Sequence, residues 1–171
     1  HIIVNIRSTG GDVEDALLIY EALRESGCKV TTRCYGYVAS AATIIAQAAS
    51  QGCREISANS LYLIHCCESA VEGNSHNLSA TQQLLEKSDQ RLADIYAEAS
   101  GREADSFRAL MNENGGRGKW LTPEEVIERM RKEYKRFWTD RVCYRGRTYP
   151  QLRGRLWRVP RLMKGESYEY F

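Results

Sequence analysis

A parallel α/β fold is predicted by a strand, a glycine turn and a helix that follow one another twice before residue 50. Residues 2–6 form a short β-branched run that leads through Arg7-Ser8-Thr9 into Gly10-Gly11, as a buried strand entering a tight turn does. Residues 30–35 repeat the pattern, and Gly36 is expected to break that second strand.

The helices are justified in order. After Asp12, the residues Val13, Ala16, Leu17, Tyr20 and Leu23 recur at helical spacing, and Ser26-Gly27 closes the segment. Residues 39–49 (ASAATIIAQAA) are so rich in Ala and Ile that a buried helix is expected, starting at or just before Ser40. Residues 52–56 are short and β-like, and residues 60–66 (SLYLIHC) form a strand that carries His65 near its end. A polar loop around Glu72-Gly73-Asn74 precedes a long helix over 77–100, with Leu78, Leu84, Leu85, Leu92, Ile95 and Tyr96 available for one apolar stripe. Gly101 ends it, and another helix runs through Ala104, Phe107, Leu110 and Met111 to Asn114-Gly115-Gly116. Thr122-Pro123-Glu124-Glu125 is a helix start, with Thr as cap, Pro in the first turn and Glu completing a capping box. The final forty or so residues mix Arg and aromatic side chains without a clear period.

At 171 residues the chain suits one compact domain, and a formal net charge of +2 gives no polyelectrolyte signal, so nucleic acid is not an expected partner. Positive charge does gather from Arg129 onward, through Arg131, Lys132, Lys135, Arg136, Arg145, Arg147, Arg153, Arg155, Arg158 and Arg161. That tail reads either as a contact surface for an acidic partner or as a solvated extension. The cysteines, Cys28, Cys34, Cys53, Cys66, Cys67 and Cys143, show no C-x-x-C spacing and no paired His, so neither a metal site nor a cofactor is expected. They read as small apolar fillers in a reduced, cytoplasmic protein. No apolar run reaches the roughly 18–20 residues of a membrane span. The opening inside a strand reads as mid-domain.

Three features carry chemistry. Ser40 lies at a Gly-Tyr-Val-Ala-Ser entry into the Ala-rich helix, where a developing anion is favoured by the helix dipole, and the plainer reading is an ordinary N-cap serine. Gly10-Gly11 after a strand lets backbone N–H groups face a ligand, as an oxyanion hole requires, though a simple turn explains it too. His65 is either a hydrogen-bonded core histidine or a general base; His1 and His76 lie at the terminus and in a loop.

STGGDVEDALLIYEAL, GYVASAA and LYLIHC, in that order, resemble the Clp protease proteolytic subunit (ClpP) family, and the likeness runs from about Ile2 to Glu125. The Gly-Gly-Asp-Val wording and Lys119-Trp120-Leu121-Thr122-Pro123-Glu124-Glu125 are closest to the Clp-related head-maturation (prohead) proteases of tailed phages. The resemblance implies a ClpP/crotonase-like spiral of ββα units with a long protruding helix that builds ring-to-ring contacts. It also implies a serine endopeptidase in which Ser40 attacks, His65 is the base, and the N–H groups of Gly11 and Ala41, with Gly10 beside them, hold the oxyanion. The implied assembly is a homo-oligomeric ring in the cytoplasm of a bacterial or phage-infected cell, acting on protein or peptide substrate, with an AAA+ unfoldase or capsid and scaffold proteins as partners.

The sequence departs from the family twice. Where the family carries its third triad member, an Asp two residues before the aromatic, stands Gly118; Asn114 is the first replacement and Glu113 the second. After Glu125 the family's last strand gives way to the basic tail, so the expected domains are a peptidase domain at 1–125, lacking the N-terminal part of the family domain, and an extension at 126–171. Two other readings share the architecture: a catalytically inactive Clp-like assembly subunit and a crotonase-fold acyl-CoA enzyme.

Overall fold

A computed structural model of the chain describes residues 1–130 and the backbone of 140–144 and 147–151. The chain divides into two units, His1–Arg136 and Phe137–Phe171. The basic run beyond Met130 falls outside the described residues apart from the backbone of that second segment.

The first unit holds β1 (Ile2–Ser8), α1 (Val13–Glu25), β2 (Val30–Ala39), α2 (Ala42–Gln47), β3 (Arg54–Ile56), β4 (Leu61–Ile64), α3 (Ser75–Ser100), α4 (Ala104–Asn112), β5 (Lys119–Leu121) and α5 (Pro123–Arg129). Strands β1, β2, β4 and β5 lie side by side in that order, and β3 pairs the first half of β2. Pairings among β1 to β4 are parallel, with Ile6 opposite Cys34 and Ala39 opposite Leu63. β5 runs antiparallel to β4. In the second unit, β6 (Asp140–Tyr144) and β7 (Arg147–Gln151) form an antiparallel hairpin.

The mixed α/β architecture is the one expected, and the caps follow the sequence signals except at the start of α3, which begins at Ser75 rather than at residue 77. Asp12 caps α1 by accepting from the N–H groups of Glu14 and Asp15. Asn74 and Asn77 close a capping box on α3, Gly101 ends it in the left-handed region, and Thr122 with Glu125 forms the box that starts α5. Four further expectations need correction. Gly36 does not end β2: at φ 57° it forms a bulge, so that the register passes from Ile6 opposite Cys34 to Ser8 opposite Val38 and the strand runs on to Ala39. The Ala-rich stretch is helical only from Ala42, because Ser40 itself turns left-handed. Residues 119–121 form a strand that the sequence did not announce. The apolar stripe of α3 is buried only at its C-terminal end, where Leu92 and Tyr96 enter the core, while Leu78 and Leu84 stand in solvent.

Alternation along the strands gives the sheet one packed face, carrying Ile6, Cys34, Val38, Tyr62, Ile64 and Leu121, against which Leu17, Ile44, Ala93, Phe107 and Met111 pack. On the other face Tyr37, Leu61 and Trp120 are exposed, with the Tyr37 and Trp120 rings 5.5 Å apart. No helix among the described residues is long and apolar enough to cross a membrane.

Candidate active site

Three parallel strands end at one edge of the sheet, and each is followed by one of the residues singled out in the sequence: Gly10-Gly11 after β1, Ser40 after β2 and His65 after β4. The carboxyl edge of a parallel sheet is where α/β proteins hold ligands, since the chain turns there into helices and exposes backbone groups. Here the turn after β2 is an elbow. Ser40 sits at φ 56°, a conformation that costs a non-glycine residue about 1–3 kcal/mol unless its surroundings hold it. Its N–H donates to the Leu63 carbonyl at 3.0 Å, and its own carbonyl accepts from the Thr43 N–H at 2.9 Å and from Thr43 Oγ1 at 2.6 Å. Ser40 is therefore not the helix cap. Ala41 is, with no side-chain bond, and the half-buried hydroxyl of Ser40 is left free of capping duty.

Gly10 is the close approach. At φ 103°, its missing β-carbon would stand 2.5 Å from Ser40 Cβ and 3.0 Å from Ser40 Oγ, so only glycine lets β1 come this near the hydroxyl. Gly11 at φ 153° faces open space instead. Among the described residues the N–H groups of Gly11 and Ala41 donate to no protein acceptor.

His65 is half-buried, and its Nδ1 is buried without a hydrogen-bond partner among the described residues. No hydrogen bond there joins it to Ser40 Oγ. Gly118, at φ 67° and buried, lies flat on the strand end: a β-carbon there would run into the Ile64 carbonyl and come within 3.0 Å of His65 Cα. The loop before it is closed around that glycine. Gly118 N–H donates to the Glu113 carbonyl at 2.9 Å, Asn114 Nδ2 donates to the Gly118 carbonyl at 2.8 Å, and Cys66 N–H donates to the Gly116 carbonyl at 3.0 Å. Asn114 holds φ 54°, and both it and Glu113 are exposed.

Cys66 and Cys67 follow His65 and raise the question of a second nucleophile. Burial first, and then the Asp89 carboxylate, pushes Cys66 up to about 11 and Cys67 up to about 12. Both are thiols at neutral pH and poor nucleophiles. Asp89 Oδ1 also accepts the Cys67 N–H at 2.6 Å. Neither Asp89 nor the pair Thr43 and Tyr96, whose hydroxyl oxygens are 2.5 Å apart, was singled out from the sequence. Tyr96 reads as one more apolar helix position, and nothing in the local sequence marks Asp89. No group of His, Cys, Asp and Glu among the described residues is arranged to hold a metal ion.

Fold and site thus define a mixed α/β protein with a hydroxyl elbow, a glycine turn and a histidine at the carboxyl edge of its parallel strands. The Clp protease family model matches residues 1–129. ATP-dependent Clp protease proteolytic subunit 1 of Leifsonia xyli subsp. xyli is 28% identical over 127 residues, covering 74% of this chain and 62% of that protein. Subunit 2 of Pseudomonas aeruginosa is 30% identical over 123 residues, 72% of this chain and 59% of its own length, and the Bacteroides fragilis subunit is 29% identical over 127. The chain belongs to the Clp protease family. It spans less than two thirds of the length of these relatives.

Proposed function

We propose that the chain is a serine-type endopeptidase subunit in which Ser40 is the nucleophile and His65 the general base. The observation that carries this reading is the packing of Gly10 against the Ser40 side chain, at the edge where the strand of His65 also ends. In the proposed reaction Ser40 Oγ attacks the scissile carbonyl while His65 takes its proton and later gives it to the leaving amine. The N–H groups of Gly11 and Ala41 hold the tetrahedral oxyanion, each contributing about 2.7–4 kcal/mol to lowering the barrier. Asn114 is the proposed partner of the imidazole, with Glu113 as the second choice. In the single chain neither hydrogen-bonds His65 and Asn114 Nδ2 donates to the Gly118 carbonyl, so the contact forms on assembly, where an amide fixes a tautomer but stabilises imidazolium less than a carboxylate does. The peptidase domain is 1–125, extended by 126–171. Copies of the chain assemble into a homo-oligomeric ring in the cytoplasm of a bacterial or phage-infected cell. Protein segments reach it from an AAA+ unfoldase, or as capsid and scaffold proteins during head maturation.

A second reading has its own support. Gly118 occupies the position of the family's acid, and Nδ1 of His65 has no partner among the described residues, as suits an inactive subunit kept for assembly. One measurement separates the two. The assembled protein is treated with a fluorophosphonate probe and mapped by mass spectrometry. The peptidase reading expects an adduct on Ser40 that is absent in Ser40→Ala and slowed by at least about a hundredfold in His65→Ala. A folded, assembled sample without an adduct leaves the inactive subunit.

A further inference from the structure

Helix α3 reaches the candidate site at two points that lie two turns apart on one side of the helix, Asp89 and Tyr96. At the first, the Asp89 carboxylate accepts the N–H of Cys67, two residues beyond His65, at 2.6 Å. The Cys66 thiol donates to Asn112 Oδ1 on α4 at 3.5 Å, so it is the Cys67 N–H that ties the chain leaving β4 to α3 just past the histidine. At the second, the fully buried Tyr96 hydroxyl lies 2.5 Å from Thr43 Oγ1, which lies 2.6 Å from the Ser40 carbonyl. The direction of this relay follows from proton counting. A threonine hydroxyl has one proton, and a carbonyl can only accept, so Thr43 donates to Ser40 and Tyr96 must donate to Thr43. Successive bonds of this kind reinforce one another in a dry interior. They converge on Ser40, whose φ of 56° needs holding. Between the two anchors, Leu92 and Ala93 are buried in the core and fix the helix against sliding.

We propose that Asp89 and Tyr96 are positioning residues, and that α3 is the strut that sets the Ser40 elbow and the His65 strand end at a fixed mutual distance. Neither side chain touches substrate in this arrangement. Asp89 acts through the backbone of Cys67, and Tyr96 acts through Thr43. The catalytic meaning of the strut rests on the peptidase reading above, whereas its mechanical meaning does not, and the test keeps the two apart.

Full-length chains carrying Tyr96→Phe, Thr43→Val, Thr43→Ser, Asp89→Ala or Asp89→Asn are compared with the parent in the assembled state. Hydrogen exchange is followed in peptides covering 38–44 and 63–68, beside thermal unfolding, the rate of fluorophosphonate labelling at Ser40, and kcat and KM on a peptide substrate. Tyr96→Phe and Thr43→Val should each speed exchange over 38–44 and slow labelling and kcat, by about tenfold, with KM within about twofold. The double variant should be no worse than either single one, because both remove the same relay. Thr43→Ser, which keeps the hydroxyl, should restore parent values. Asp89→Ala should speed exchange over 63–68 but not over 38–44, and slow labelling, while Asp89→Asn, which still offers an oxygen to the Cys67 N–H, should recover most of the loss. Unchanged local exchange in Tyr96→Phe and Asp89→Ala overturns the strut whether or not the protein is active. Faster exchange with unaltered labelling overturns the positioning role. A parent protein that never labels, with the exchange changes present, sinks the peptidase reading alone and leaves the strut standing.

Discussion

A β-carbon added at Gly118 meets backbone, and backbone cannot rotate out of the way as a side chain can. This bears on Gly118→Asp, the substitution that would supply the acid which the resemblance to the family leads one to expect there. At φ 67°, with the Ile64 carbonyl in the path of the new side chain, that substitution should destabilise the fold by about 3 kcal/mol or more and should not speed probe labelling. Urea unfolding measures the first and labelling kinetics the second. A Gly118→Asp protein as stable as the parent would mean that β5 moves freely away from β4. Gly10 makes the complementary case. Its virtual β-carbon lies 2.5 Å from Ser40 Cβ and 2.9 Å from the Ala39 carbonyl oxygen, so Gly10→Ala must displace either the elbow or β1. The expected cost is about 2 kcal/mol or more in unfolding free energy, with loss of labelling at Ser40. A fully reactive Gly10→Ala protein would separate this glycine from the chemistry.

At the scale of elements, α5 offers a test of charge. The Thr122 N–H, and after it the Lys119 ammonium at 2.9 Å, hold the Glu125 carboxyl below the ordinary 4.5. A depressed folded-state value means stability that is fully present above 4.5 and is lost as pH falls through the folded value. Glu125→Gln keeps an oxygen for the Thr122 N–H but has no charge to lose. Its melting temperature should therefore lie below that of the parent above the ordinary value of 4.5 and converge with it as pH falls through the depressed folded value. A constant gap across that range would trace the effect to packing. The starts of α1 and α5 and the Gly101 end of α3 were legible because side-chain identity and offset suffice to define them, whereas Asn74, expected in a loop, caps α3, which starts two residues earlier than expected. Gly36 was not, because a glycine inside a strand ends it or bulges it according to what the neighbouring strand offers, and only β1 decides that. β5 is three residues, too short for alternation to register. Gly10, Ser40 and His65 could each be picked out at the end of an expected strand, but each had a plain structural reading, and it was the resemblance to the ClpP family that joined them into one site. The left-handed backbone of Ser40 and the bonds from Tyr96 and Asp89 depend on α3, remote in sequence, and no local pattern announces them.

Across the whole chain, α3 is divided along its length. Its 26 residues span about 39 Å. Leu92 and Tyr96 are 5% and 2% exposed, while residues 71–80 are exposed throughout and Leu84 is 63% exposed. A helix propagates from a costly nucleus, so the core-bound end supports an outer half that has little packing of its own. Substitution in the two halves should therefore have opposite consequences. Leu92→Ala opens a cavity in the core and should cost about 2–5 kcal/mol in urea unfolding. Leu84→Asp touches no core and should change that free energy by less than about 0.5 kcal/mol. If rings of the chain meet through the outer half, as the ring-to-ring contact implied by the resemblance requires, Leu84→Asp should instead shift the protein from paired to single rings in sedimentation velocity. Probe labelling should fall with it, since catalytic contacts that are loose in a free subunit tighten on assembly. A Leu84→Asp protein that sediments as the parent does would remove the outer half of α3 from the assembly contact.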